Sequence, residues 1–110
     1  DLRRAYTTHR VYLHTAQSPY EDGYNLALLE AMASGMPVVG NAHPTSPVMH
    51  GDSGFLSDDV AILRGHIRSL LKDRDMACEM GQKARSIIAD RFGQARFKSQ
   101  WQAVLDPFDR

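Results

Sequence analysis

The chain of 110 residues carries 13 basic and 13 acidic side chains, so its formal net charge is zero. This length allows one hydrophobic core, and the balanced charge argues against a general nucleic-acid binder. The single cysteine, Cys78, excludes an internal disulfide and a multi-cysteine metal site. No apolar run approaches the roughly 20 residues of a membrane span, and the first residues lack the pattern of a signal peptide.

The first fifteen residues predict a helix followed by a short strand. Residues 1–9 place Leu2, Ala5 and Tyr6 on one helical face. Residues 11–15, VYLHT, are short and rich in residues that favour β-structure. His14 lies at the end of this strand, where a single histidine is more often packed than catalytic.

Residues 18–40 predict a loop, a buried helix, a tight turn and a buried strand. Asn25 is a suitable N-cap for a helix over residues 26–33, which are almost all apolar or small. Gly35 suits the left-handed position past the helix end, and residues 37–39 suit a parallel strand covered on both faces. A helix that is apolar on all sides is normally buried, so its one charge, Glu30, needs an explanation.

The residues alone leave three explanations for Glu30. A buried carboxylate needs hydrogen-bond donors, which either the hydroxyl groups of a ribose or a structural arginine would supply. The third explanation is that one narrow edge of the helix is exposed. Unpaired N–H groups of residues 24–27 would attract phosphate at the helix start, roughly 6–8 Å along the axis from Glu30. One helix could therefore bind a diphosphate at its tip and a ribose at its side.

The remaining residues predict an ordered loop, a third strand and three helices. Turn-forming residues dominate 41–53, and residues 54–56 form the strand. The helices cover residues 60–73, with Asp58 or Asp59 as the cap, then residues 74–91, and finally a segment after Gly93. Their apolar stripes are Ile62, Leu63, His66, Ile67, Leu70 and Leu71; Met76, Met80, Ala84, Ile87 and Ile88; and Phe97, Trp101, Val104 or Leu105, and Phe108.

Other side chains that could carry chemistry favour structural roles. His43 and His50 lack a third ligand at metal spacing, and Cys78 favours packing within its helix. The basic residues of the last third favour a solvated face over a site for anionic lipid, because acidic residues are interspersed among them. These basic residues are Arg85, Arg91, Arg96 and Lys98.

Residues 22–39, DGYNLALLEAMASGMPVV, resemble the E-x7-E segment of group 1 (family 4-like) retaining glycosyltransferases, which have the two-lobed GT-B fold. The family pattern is an acid, Gly, an aromatic residue, Gly, several apolar residues, Glu-Ala-Met-Ala, a small residue, Gly, any residue and Pro-Val-Val. Two positions depart from it: Asp22 stands where the family has Glu, and Asn25 replaces the second Gly. The resemblance extends over nearly the whole chain, including residues 51–56 and the step Arg91-Phe92.

The resemblance implies an α/β fold, a Rossmann-like parallel sheet with helices on both faces that ends in helices. Residues 1–110 would form a single partial domain, the second half of the C-terminal donor-binding lobe of a longer parent protein. Its first strand would then lack a neighbour and present an open edge. We therefore expect the chain to associate with the missing N-terminal lobe or with itself as a dimer.

For function, the resemblance implies that the parent transfers a sugar from a nucleotide diphosphate sugar to an acceptor, with retention and without a metal or cofactor. Glu30 would accept hydrogen bonds from the ribose, and the backbone of Gly23, Tyr24, Asn25 and Leu26 would meet the diphosphate. Asp22 would be the catalytic residue at the donor sugar. The chain alone would be inactive.

The alternative hypothesis is a non-catalytic module that binds a nucleotide sugar or a partner. The shorter side chain of Asp22 and the missing lobe both favour it. Under either hypothesis we expect no nucleic-acid partner and no transmembrane segment. We also expect a cytoplasmic location, with peripheral membrane association of the parent protein as a further expectation.

Overall fold

The computed structural model describes residues 4–5, 8–15 and 25–106. Within these residues the chain forms a three-stranded parallel sheet and four helices. The elements are, in chain order, β1 (Tyr12–His14), α1 (Leu26–Ala33), β2 (Val38–Gly40), β3 (Gly54–Leu56), α2 (Val60–Lys72), α3 (Arg74–Phe92) and α4 (Gln94–Leu105). The predicted α/β class, with a parallel sheet that ends in helices, is confirmed.

The helix predicted over residues 1–9 is confirmed at three of its described positions, and His9 is not helical. Arg4, Ala5 and Thr8 are helical, and the His9 N–H donates to the carbonyl oxygen of Ala5 at 3.2 Å. Leu2 and Tyr6, which were predicted to share a face with Ala5, lie outside the described residues.

The strands lie in the order β1-β2-β3, and both pairs are parallel. Tyr12 lies opposite Val38, which in turn lies opposite Gly54 on the other side. The predicted parallel pairing of the first two strands is therefore confirmed. In the described part of the sheet, β1 and β3 are the outer strands, and β2 is the central one.

Successive residues of β2 point to opposite faces of the sheet and belong to two separate core clusters. Val38 packs with α1, and Val39 packs with α2. Helices therefore cover both faces, as predicted. The first core cluster consists of Leu28, Met32, Val38, Val48 and Ala84. The second core cluster consists of Val39, Leu63, Leu70, Ala77 and Met80.

Helix α3 joins the two core clusters. Its first half contributes Ala77 and Met80 to the second cluster, and its second half contributes Ala84 to the first. Between them, Gly81 passes the end of α1 so closely that a Cβ atom there would lie 1.9 Å from the carbonyl oxygen of Gly35. Because Gly35 precedes β2, α3 crosses the sheet at the amino-terminal end of this strand.

Acidic side chains fix the starts of α2 and α3. Asp59 caps α2, since its carboxylate accepts from the N–H groups of Ala61 at 2.8 Å and Ile62 at 3.4 Å. Asp58, the other predicted cap, instead accepts from the Ala42 N–H at 3.2 Å. Asp73 caps α3 through the Met76 N–H at 3.0 Å. Each cap satisfies backbone donors that have no partner within the helix.

The apolar stripes of the last three helices differ in how far the fold covers them. In α2 the side chains of Leu63 and Leu70 are buried, whereas in α4 no residue of the described helix is buried. Trp101 is 52% exposed, and Phe108 lies outside the described residues. The expectation that Cys78 packs inside the fold is wrong, because its side chain is exposed on the surface of α3.

Candidate functional site

The three parallel strands end at one common edge of the sheet, where ligands bind in open α/β sheets. The pairing continues just past the strands at this edge. The Asn41 N–H donates to the carbonyl oxygen of His14 at 3.2 Å, and the Ser57 N–H donates to that of Gly40 at 3.0 Å. The loop connections that leave the strands here are therefore held close to the sheet.

Helix α1 begins at this same edge, because it connects β1 to the parallel strand β2 and must run in the opposite direction. Asn25 is its N-cap, as predicted, with φ −66° and ψ 128°. The Asn25 side-chain oxygen accepts from the N–H groups of Ala27 at 2.9 Å and Leu28 at 3.3 Å. The expectation that the Ala27 N–H is unpaired is therefore wrong.

The end of α1 also follows the predicted pattern. Gly35 has φ +87°, the left-handed conformation that a glycine adopts without steric cost. The Met36 N–H donates to the carbonyl oxygen of Ala31 at 3.1 Å, and the Gly35 N–H donates to that of Met32 at 3.0 Å. These two bonds define a Schellman motif, which fixes both the length of α1 and the direction of the chain into β2.

Glu30 is exposed on the face of α1 that points away from the core. The helix buries Leu28, Ala31 and Met32, while Leu26 is 73% exposed. The expectation of a helix buried on all sides is therefore wrong, because the sheet and α3 cover only one side of it. In the part of the chain that the structure describes, Glu30 has neither an ion-pair partner nor a side-chain hydrogen bond, so the structural-arginine explanation is not supported there. The third explanation, an exposed edge of the helix, is the one that the structure shows.

Leu26 and Glu30 are four residues apart and therefore lie on the same side of the helix, about 6 Å from each other along its axis. Together they form an exposed pair, one apolar and one anionic, beside the carboxyl-terminal edge of the sheet. Asp22, Gly23 and Tyr24, the other predicted site residues, lie outside the described residues. Asn25 and Leu26 lie within them, and the sequence did not predict that the Asn25 side chain accepts from both the Ala27 and the Leu28 N–H groups.

The histidines near this edge have structural contacts. The His14 ring stacks on that of Tyr12 with centroids 6.0 Å apart. The Nδ1 atom of His50 accepts from the Leu56 N–H at 2.9 Å, and that of His43 accepts from the Thr45 N–H at 3.2 Å. Among the described residues, no group of three His, Cys, Asp or Glu side chains is placed to hold a metal ion.

Two open grooves flank β1, one on each face of the sheet. On the α1 side a groove of about 370 Å³ includes Tyr12, Ala27 and Met36. On the α2 side a groove of about 400 Å³ is mostly apolar, and it includes Leu13 and Leu63 with Arg64 and Arg68. In the described part of the sheet, the outer side of β1 thus lies between two accessible, largely apolar surfaces.

This order of elements, with helices on both faces of a parallel sheet, defines an α/β protein of the Rossmann-like class. Comparison with known proteins gives the family. Residues 1–87 match the family model described as glycosyl transferases group 1, and the chain belongs to this family.

Individual relatives are similar over most of this chain. N-acetyl-alpha-D-glucosaminyl L-malate synthase of Bacillus anthracis is 32% identical over 88 residues, which is 76% of this chain and 23% of that protein. O-antigen chain mannosyltransferase B of Escherichia coli is 33% identical over 86 residues, 74% of this chain and 22% of that protein. A trehalose synthase of Thermococcus litoralis is 31% identical over 94 residues, 84% of this chain and 23% of that protein.

The chain spans 22–23% of the length of these relatives. In the described part of this chain, none of the helices is long and apolar enough to cross a membrane.

Proposed function

We propose that this chain is the donor-binding part of a glycosyltransferase that moves a sugar from a nucleotide diphosphate sugar to an acceptor. The reaction proceeds with retention at the anomeric carbon and without a metal ion or cofactor. The observation that carries the proposal is the exposed pair Leu26 and Glu30, which lies beside the ligand-binding edge of the sheet in a member of the group 1 family.

Glu30 accepts hydrogen bonds from the two ribose hydroxyl groups in this proposal. Its exposure is compatible with this role, because an exposed carboxylate on a helix needs no partner for stability and is accessible to a ligand. Leu26, 73% exposed one turn earlier, offers an apolar surface next to the sugar. An ionised carboxylate accepts through both of its oxygens, which matches two neighbouring hydroxyl groups.

The diphosphate lies at the start of α1, against the backbone of Gly23, Tyr24, Asn25 and Leu26. Negative charge at this end of a helix is stabilised by the helix dipole, and the stabilisation grows as charge develops on the leaving group. Asp22 contacts the donor sugar and acts as the catalytic residue at the reacting carbon. In this proposal residues 1–110 form one partial domain, and a further lobe of a longer parent protein binds the acceptor.

The chain alone is inactive in this proposal, since it lacks the acceptor lobe. It depends on that lobe or on self-association, and the parent acts in the cytoplasm with peripheral membrane contact. The alternative is a non-catalytic nucleotide-sugar-binding module, favoured by the shorter acid at position 22. Transfer of sugar by the full-length protein would separate the two, because only the enzyme would turn the donor over.

The test is a calorimetric titration of the full-length protein with nucleoside diphosphates of different bases, together with the variant Glu30→Gln. The amide keeps the shape of the side chain but retains only one acceptor oxygen. A hydrogen bond to a charged group is worth roughly 1.5–3 kcal/mol, so we expect affinity to fall about ten- to a hundredfold.

The matched control is Glu79→Gln, because Glu79 is an exposed glutamate on α3 that forms only a 3.8 Å ion pair with Lys83. We expect this variant to bind nucleotide like the unaltered protein. Normal nucleotide affinity in Glu30→Gln, with or without a lower melting temperature, would remove the donor-site assignment.

A further inference from the structure

A pocket of about 270 Å³ opens at the amino-terminal edge of the sheet, opposite the edge beside which Glu30 lies. Residues 8–10 lead into β1, and Gly35 precedes β2, so both parts of the lining lie at this edge. Helix α3 contributes Arg74, Ala77 and Cys78. Three segments that are far apart in sequence therefore form the pocket, and none of these residues belongs to the proposed donor site.

The described residues that line this pocket include three basic side chains, His9, Arg10 and Arg74, and no acidic one. The whole chain has equal numbers of acidic and basic residues, so the local excess of positive charge does not follow from composition. A concave surface lined by one sign of charge concentrates ions of the opposite sign. The pocket is therefore suited to an anion.

Arg10 is anchored beside the pocket by a contact with α2. Its Nη1 atom donates to the carbonyl oxygen of Leu71 at 2.6 Å. This carbonyl belongs to the last turn of α2, where backbone acceptors have no partner within the helix. A guanidinium group carries five N–H donors, and one bond leaves most of them available. Because the side chain is already held in place, less conformational entropy is lost when it binds a ligand.

Arg74 carries a positive charge at a position that the fold itself disfavours. It is the first residue of α3, where the helix dipole favours negative charge. In the part of the chain that the structure describes, its side chain has neither an ion-pair partner nor a hydrogen-bond acceptor. The neighbouring Asp73 caps the helix through the Met76 N–H at 3.0 Å. A cation that breaks a local rule without compensation is expected where a ligand requires it.

We propose that this pocket is a second ligand site, which binds a phosphate group through Arg10 and Arg74. Guanidinium groups bind phosphate oxygens through two parallel hydrogen bonds, which gives such pairs both strength and geometric specificity. The phosphate belongs either to a soluble phosphate ester or to a lipid headgroup, which share this chemistry. The proposal does not depend on the proposed function, because the two sites lie at opposite edges of the sheet and share no residue.

Cys78 provides a readout that is specific to this pocket. It is the single cysteine of the chain, it is exposed, and it lines the pocket. The experiment measures the rate at which iodoacetamide, an uncharged reagent, alkylates Cys78 in the full-length protein, by mass spectrometry of the peptide that contains it. Inorganic phosphate is the first probe, and chloride replaces it at the same ionic strength as a control. We expect a saturable loss of alkylation rate with phosphate and none with chloride.

Arg74→Gln removes one of the two proposed phosphate ligands. The protein should fold normally, because the side chain is exposed and lacks a partner among the described residues. We expect the phosphate concentration that gives half of the protection to rise about three- to tenfold. The matched control is Arg85→Gln, since Arg85 is exposed on the same helix but is not among the described residues that line the pocket. It should leave this concentration unchanged.

Vesicles separate the two sources of the phosphate group. Protection of Cys78 by phosphatidylcholine vesicles that contain phosphatidic acid, without protection by free phosphate, would assign the site to a lipid headgroup. Pure phosphatidylcholine vesicles should give no protection. The inference is wrong if neither probe protects Cys78, or if Arg74→Gln is protected as well as the unaltered protein. It is also wrong if Cys78 resists alkylation in the full-length protein without any anion, because the pocket is then covered.

Discussion

Gly81 is the residue of α3 that lies closest to the end of α1. A Cβ atom at this position would lie 1.9 Å from the carbonyl oxygen of Gly35 and 3.4 Å from Cδ of Pro37. Backbone cannot yield as a flexible side chain would, so one helix must shift. We expect Gly81→Ala to lower the free energy of unfolding by about 1–3 kcal/mol, measured by urea denaturation.

Gly65 provides the control for this substitution. It lies in the interior of α2, and a Cβ atom there would have no neighbour within 4 Å. Alanine loses less conformational entropy than glycine in a helix, so Gly65→Ala should raise the free energy of unfolding by about 0.5–1 kcal/mol. Equal effects of the two substitutions would show that the α1–α3 contact is looser than described.

Asp22 should affect turnover more than binding. In the proposal it contacts the sugar that is transferred, where charge changes during the reaction, so its contribution is greater in the transition state than in the bound donor. Steady-state kinetics of the full-length protein should show a lower kcat in Asp22→Asn with a nearly unchanged KM for the donor, and the opposite pattern in Glu30→Gln. A raised KM with normal kcat in Asp22→Asn would contradict this assignment.

At the scale of residues, local conformation could be predicted from the sequence and solvent exposure could not. Asn25 as N-cap and Gly35 in the left-handed region follow from short-range hydrogen bonding and sterics. The exposure of Glu30 and Cys78 depends on which neighbours cover a helix, and a helical wheel holds no such information. The sequence likewise did not predict that the Asn25 side chain accepts from both the Ala27 and the Leu28 N–H groups, because this depends on the rotamer that the side chain adopts.

At the scale of elements, α4 differs from the other fully described helices, because no other described element covers its apolar stripe. Phe97 and Trp101 are 61% and 52% exposed, respectively. The centroids of their two rings lie 6.2 Å apart. Trp101 is the only tryptophan of the chain, so its fluorescence reports on α4 alone. In the isolated chain we expect emission typical of a hydrated indole and efficient quenching by acrylamide.

In the proposed function a longer parent supplies a further lobe, so we expect the same fluorescence to lie at shorter wavelength in the full-length protein, where that lobe covers α4. This comparison needs either a parent without further tryptophans or their replacement by phenylalanine. Emission at short wavelength from the isolated chain as a monomer would contradict the exposed position of Trp101.

The first and last residues of the helices and strands were well predicted, because glycine, proline and capping residues mark the ends of these elements. Residues 26–33 were predicted and observed as α1, and Gly93 separates α3 from α4. The second strand, Val38–Gly40, begins and ends one residue later than the predicted strand over residues 37–39. The reason is that Pro37 has no N–H to donate to the strand ladder. What an element packs against, as α4 illustrates, depends on chain segments far from it in sequence.

For the whole molecule, the position of β1 as an outer strand of the sheet in the described residues leads to a prediction about association in solution. Leu13 is 50% exposed between the two grooves that flank this strand. An exposed, apolar strand edge is a template for pairing with another chain. We expect sedimentation velocity to show that the isolated chain self-associates as its concentration rises, and that Leu13→Lys reduces this association.

Leu26→Lys is the matched control, because Leu26 is 73% exposed on a helix and away from the strand edge. If self-association is driven by the edge of β1, only the substitution at position 13 should weaken it. A chain that stays monomeric at high concentration would contradict the prediction. If both substitutions reduced association equally, the cause would be exposed apolar side chains in general and not the edge of β1.

The position of α3 across both core clusters has a consequence for synthesis on the ribosome. Neither cluster is complete until α3 has left the exit tunnel, since Ala77 and Met80 belong to one and Ala84 to the other. The sheet itself is assembled from strands that are neighbours in sequence, and α1 and α2 each cover one of its faces, yet both core clusters remain open until α3 is present. We therefore expect nascent chains that expose residues only up to Lys72 to be digested rapidly by protease, and chains that also expose Phe92 to resist it. If protease resistance instead rose gradually as each strand emerged from the ribosome, the prediction that the cores close in one late step would be contradicted.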